Sequence, residues 1–127
     1  MTASSANLVR TFKTSWFAKA ARKAHITDAE LCSAILQVSN GRADDLGGGI
    51  YKKRLSKNQY RSIILAKVET FFVYEYLFAK QDRANIDDAE LVEFRKLVKA
   101  YGTLTPKEVN RLLQDQDWME ICNGNQT

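Results

Sequence analysis

GGGIYKKRLSKNQYRSIILAKVETFFVYEYLFA, residues 47–79, is the stretch on which the fold turns. Residues 50–55, 59–68 and 71–78 are rich in β-branched and aromatic side chains and are separated by short connections, so they read as three antiparallel strands in succession. Phe71, Phe72, Val73, Tyr74, Tyr76, Leu77 and Phe78 form an almost unbroken apolar run, the pattern of a central strand covered by helices on at least one face. The three glycines let the backbone turn tightly into the first strand. That strand and its hairpin are basic. From Tyr51 to Arg83 eight Lys or Arg residues stand against three acids, a net +5, while the whole chain carries +4. Cations interleaved with tyrosines on extended backbone suit phosphates and unpaired bases.

On the N-terminal side, a short strand is expected at 9–13, followed by a helix over 15–23 that carries Trp16, Phe17, Ala20 and Ala21 on one stripe. Thr27 to Glu30 reads as a capping box opening a second helix, which Gly41 ends. On the C-terminal side, Asp87 to Glu90 starts a third helix with the stripe Leu91, Phe94, Leu97, Val98 and Tyr101. Thr105, Pro106, Lys107 and Glu108 form a second capping box, with proline at the first helical position of a fourth helix. Trp118 to Ile121 suits a last short strand or an apolar tail that docks on the core. Residues 1–7 are small and polar and are expected to be disordered; 8–122 is expected to be a single domain and 123–127 a tail.

Composition narrows the chemistry. Cys32 and Cys122 stand far apart with no Cys or His neighbour at metal spacing, so neither a disulfide framework nor a zinc site is expected, and Cys32 reads as an inert core residue. A reducing cytoplasm fits this usage. No signal peptide or membrane span is indicated, since the longest apolar run is interrupted by Glu75. His25, the sole histidine, sits between two helices and reads as a surface loop residue, not a triad member. The glycines do not open a phosphate loop, because no Gly-Lys-Ser/Thr follows them. What remains is a site of cations and tyrosines without cofactor or metal. Such a set can cut RNA, whose own 2′-hydroxyl is the nucleophile: a lysine of lowered pKa takes the proton, Arg balances phosphorane charge, and another cation or Tyr protonates the leaving oxygen. The plain alternative is a solvated basic strand, or one that binds a polyanion without chemistry.

The segments RTFKTSWF (10–17), DAELCSA (28–34), GGGIYKKR (47–54), Tyr60-Arg61 and FFVYEYLFAKQDRANI (71–86), with a closing helical region, occur in this order and together resemble the RelE-like toxins of the RelE/ParE superfamily. The resemblance implies an α+β domain with helices packed on one face of a small, mainly antiparallel sheet. It also implies a ribosome-dependent mRNA endoribonuclease of a toxin-antitoxin module, with a cognate antitoxin, the ribosome and mRNA as partners. Carried over by position, Lys52 or Lys53 would abstract the proton and Arg61 would meet the transition-state phosphate. Arg54, Lys57, Tyr60, Lys80 and Arg83 would contact RNA.

Two departures accompany the resemblance. Relatives of this branch carry a longer hairpin rich in Gly, Lys and Arg after the basic strand, where this chain has only Leu55 to Gln59. The third strand also carries extra residues around Glu75 and Tyr76. Two of them would keep side-chain facing but move Lys80 by about 6.6 Å, at about 3.3 Å per residue. The second hypothesis is therefore a catalytically reduced relative that works by binding a nucleic-acid or protein partner.

Overall fold

A computed structural model describes residues 9–122; the disorder expected at 1–7 and the tail at 123–127 lie outside them. The chain runs β1 (Arg10–Thr14), α1 (Ser15–Lys23), α2 (Asp28–Ser39), β2 (Asp44–Gly47), β3 (Ile50–Leu55), β4 (Tyr60–Lys67), β5 (Phe71–Ala79), α3 (Asp88–Gly102), α4 (Pro106–Gln114) and β6 (Trp118–Ile121). All six strands form one sheet in the order β2-β3-β4-β5-β1-β6. Only β1 and β5 are parallel, so the sheet is mainly antiparallel and the class is α+β, as expected.

The apolar runs explain the layering. In β4, residues 61–65 are all buried although their side chains alternate between faces, which requires cover on both sides. Ile64 packs with Phe17, Leu31, Ile35 and Tyr74 beneath α1 and α2. Ile63 and Leu65, on the opposite face, pack with Ile50 and Phe78 beneath Leu91, Phe94, Leu97 and Val98 of α3. α4 closes that second face over Phe12, Phe71, Val73 and Trp118. The helices thus divide between both faces, where one covered face was expected.

Capping follows the sequence with one exception. Asp87 with Glu90, and Thr105 with Glu108, make reciprocal boxes. Thr27 accepts from the Glu30 amide, but the Glu30 carboxylate accepts instead from the Ser56 amide, so α2 is tied to the β3–β4 hairpin. The Tyr74 hydroxyl donates to the Leu31 carbonyl at 2.7 Å, a second tie to α2.

Two further features depart from expectation, the Cys32–Cys122 disulfide and the exposure of Trp16. Cys32 and Cys122 form a disulfide with Cα atoms 5.4 Å apart, so Cys32 is not an inert core thiol. β6, the short last strand that the sequence allowed, pairs beside β1 at the sheet margin, and this carries Cys122 to α2. Trp16 is 51% exposed, whereas Phe17, Ala18 and Ala21 are buried: the core-facing stripe of α1 begins one residue later than its apolar run. Trp118 is buried and stacks on Phe12 at 5.0 Å, which settles its place as the anchor of a strand.

Gly47, Gly48 and Gly49 form the β2–β3 turn, all with positive φ. At Gly49 (φ +85) a Cβ would stand 3.1 Å from the Ala66 carbonyl oxygen and 3.3 Å from Val98 Cγ1, while at Gly48 it would meet nothing within 4 Å. Gly49→Ala is expected to cost roughly 1–3 kcal/mol in urea unfolding, and Gly48→Asn well under half as much, since Asn tolerates the left-handed region.

β5 contains a one-residue bulge: Ile63 pairs with Tyr76 and Ile64 with Tyr74, leaving Glu75 between them. Its carboxylate accepts from the Tyr101 hydroxyl at 2.6 Å. Burial pushes the Glu75 carboxyl above its ordinary value, and the Tyr101 bond opposes this only in part. The native state therefore holds this proton more tightly than the unfolded chain, and stability falls as pH rises from the ordinary value of 4.5 through the raised one. Glu75→Gln should remove that fall and leave stability flatter with pH, as read from urea midpoints.

Candidate nucleic-acid interface and catalytic cations

Alternation along β3 splits its cations. Lys52 and Arg54 lie on the face of Ile50, Ile63 and Arg61, whereas Lys53 lies on the face of Ser62. Arg54 stands directly opposite Arg61 across the β3–β4 ladder, and Lys53 opposite Ser62. The faces meet again at an edge. Pairing of β2 with β3 reaches only to Asp44 opposite Lys52, so β3 beyond Lys52 has no strand on that side. A pocket of about 300 Å³ occupies this edge, lined by Arg42, Ala43, Asp44, Lys52, Lys53 and Arg54.

Each cation there is held. Lys52 Nζ donates to Asn85 Oδ1 at 3.2 Å and lies 3.7 Å from the Asp44 carboxylate. Lys53 Nζ donates to the Arg42 carbonyl at 3.1 Å. Partial burial, followed by the Arg42 and Arg54 charges, lowers the Lys53 ammonium below the ordinary lysine value. Arg54 is exposed.

Arg61 is only 8% exposed. Its guanidinium donates to the Asn58 carbonyl at 3.0 Å and the Tyr60 carbonyl at 3.3 Å. These bonds brace a turn in which Ser56, Lys57 and Asn58 all take positive φ, a conformation that costs about 1–2 kcal/mol per non-glycine residue. Ser56 is fixed from below by Glu30. The short hairpin is thus a braced turn that presents an exposed Lys57. Lys57, Tyr60 and Lys80 line a second cleft of about 450 Å³ between this turn and the end of β5.

Arg83 lies apart. It pairs with Glu90, with Arg83 Nη1 donating to Glu90 Oε2 at 3.0 Å, and sits 5.5 Å over the Phe78 ring. The pair raises the arginine and lowers the carboxyl of Glu90 from their ordinary values. Among the described residues no group of His, Cys, Asp or Glu is gathered to hold a metal.

Arg42, Asn85 and Glu30 were not anticipated. The first two lie in loops and act on β3 only through the fold, so no local pattern marks them. Glu30 carried a signal that pointed elsewhere, since its spacing from Thr27 is that of a helix cap.

An α+β domain with a mixed six-stranded sheet and a basic hairpin at one end is the class these observations define. The family model described as the RelE toxin of the RelE / RelB toxin-antitoxin system matches residues 9–121, and the chain belongs to that family. It is the toxin of a toxin-antitoxin module, and an antitoxin is its partner. No curated protein and no solved structure matches. No helix of the described residues is long and apolar enough to cross a membrane.

Proposed function

We propose that this toxin is a metal-independent endoribonuclease that cuts messenger RNA on the ribosome, in the cytoplasm, and so inhibits translation. The observation that carries the reading is the edge pocket, where Lys53 with its lowered ammonium lies beside Lys52 and Arg54, and Arg54 faces Arg61 across the ladder. In this mechanism Lys53 takes the proton of the RNA 2′-hydroxyl as that oxygen attacks the adjacent phosphorus. Arg54 balances the charge that develops on the phosphorane, joined by Arg61 once its guanidinium leaves the Asn58 and Tyr60 carbonyls. Lys52 delivers a proton to the 5′-oxygen as its bond to phosphorus breaks, which leaves a 2′,3′-cyclic phosphate and a free 5′-hydroxyl. Lys57, Tyr60 and Lys80 position the strand along the second cleft, and Arg83 contributes once it exchanges Glu90 for phosphate.

One observation favours the second reading, a binding protein without cleavage: Arg61 is nearly buried and donates to the hairpin carbonyls. Induced expression in bacteria, with mapping of mRNA 5′ ends for wild type and Lys53→Ala, separates the two. New 5′-hydroxyl ends that vanish in the variant support the nuclease. Growth arrest without such ends supports binding alone.

A further inference from the structure

Parallel pairing of β1 with β5 ends at Lys13 opposite Tyr74, so the last five residues of β5 have β4 on one side and no strand on the other. α1 runs beside this free margin. Between them lies a groove of about 580 Å³, with Trp16, Lys19 and Lys23 on the helix wall and Tyr60, Tyr76 and Arg83 among the residues opposite. The groove shares no lining residue with the edge pocket at the β2–β3 end of the sheet, and it adjoins the 450 Å³ cleft through Tyr60, Ala79 and Gln81.

Its chemistry is specific in two respects. Trp16 lies nearly flat on Tyr76, with centroids 5.1 Å apart and planes at 22°, yet the residue is 51% exposed. Tyr76 leans in turn on Phe78 and Phe94, so the indole is backed by a packed aromatic column with its own surface open. Lys19 and Lys23 follow at successive helical turns on the same wall. Both are exposed, and neither has an ion-pair partner among the described residues. Arg83, by contrast, is neutralised by Glu90. A supported open ring with unpaired ammonium groups one helical turn apart matches a base followed by its phosphates.

We propose that the groove between α1 and the free end of β5 is a second single-stranded RNA contact, with an unpaired base stacked on Trp16 and the flanking phosphates on Lys19 and Lys23. It deepens the nuclease reading and rests on it for the identity of the nucleic acid. The groove would hold a stretch of RNA away from the scissile bond, so that affinity and cleavage separate by mutation.

Trp118 is 4% exposed, which leaves Trp16 as the tryptophan whose fluorescence a groove ligand quenches. The whole protein is titrated with an unstructured oligouridylate of about ten nucleotides. Saturable quenching is expected, and the change in anisotropy of labelled RNA should weaken about tenfold or more in Trp16→Ala, with Trp16→Phe retaining most of the affinity. Lys19→Gln and Lys23→Gln should each reduce the slope of log affinity against log salt by about 0.7. Lys99→Gln, an exposed cation of α3 outside the groove and the edge pocket, should bind like wild type. No quenching by RNA, or salt slopes unchanged in both lysine variants, overturns the proposal. Quenching by an acidic peptide but not by RNA overturns it in favour of a protein partner. Failure of the nuclease reading would show differently, as intact groove binding with no new mRNA ends from the wild-type protein.

Discussion

Lys53→Ala is expected to lower mRNA cleavage by at least about a hundredfold, the lower range for loss of a positioned general base, with little change in unfolding midpoint. Lys53 is partly exposed and its one hydrogen bond, to the Arg42 carbonyl, lies at the surface, so truncation removes chemistry more than packing. The wild-type rate should rise with pH through the Lys53 value, which lies below that of an ordinary lysine because burial and the Arg42 and Arg54 charges disfavour the ammonium. Arg54→Ala removes one of these charges and should move that inflection upward, besides slowing the reaction. Arg61→Ala is the less clean test, because it also frees the Asn58 and Tyr60 carbonyls and loosens the hairpin. Arg61→Lys keeps the charge but loses the forked donor, and comparing the two variants by cleavage rate and by unfolding midpoint divides support of the turn from support of the phosphorane. If Lys53→Ala cleaves as well as wild type, the assignment of the base fails.

Reduction of the Cys32–Cys122 disulfide is expected to have the largest effect on stability. The bond closes a loop across a sequence separation of 90. Chain-entropy arguments give about 4–5 kcal/mol for a loop of this length, toward the upper end of what disulfides provide. Urea unfolding with and without reductant, alongside Cys32→Ser, checks the value. A midpoint unchanged by reductant would show that pairing of β6 with β1, and the burial of Trp118 and Ile121, hold the chain end without the cross-link. Under the proposed cytoplasmic action the two cysteines would be kept as thiols. The oxidised and reduced proteins would then differ in stability around the same sheet.

Much of the architecture was legible in the residues. The runs at 50–55 and 71–78 became β3 and β5 with almost those bounds, because β-branched and aromatic runs between short connections have few other uses. Three of the four helices begin at caps visible as Thr or Asp with a Glu three residues on; the cap of α1, Thr14, whose hydroxyl accepts from the Phe17 amide, has no such spacing to mark it. β2 was not legible. Asp44, Asp45, Leu46 and Gly47 carry no strand pattern and are extended only because β3 offers them a partner. The cations of the site were visible as a basic strand, but their grouping was not.

Local patterns determined the class of fold, the caps and the concentration of charge on one hairpin, because each depends on neighbours a few residues apart. Tertiary structure decided the rest: that Lys53 faces away from Arg61 and meets Lys52 and Arg54 only at the open edge of β3, and that Arg61 braces a strained turn. It also brought Cys32 to Cys122 and left Trp16 open above Tyr76. These outcomes depend on where β2 and β1 stop pairing and on which strand β6 joins. Such contacts form between segments distant in the chain, and no local preference encodes them.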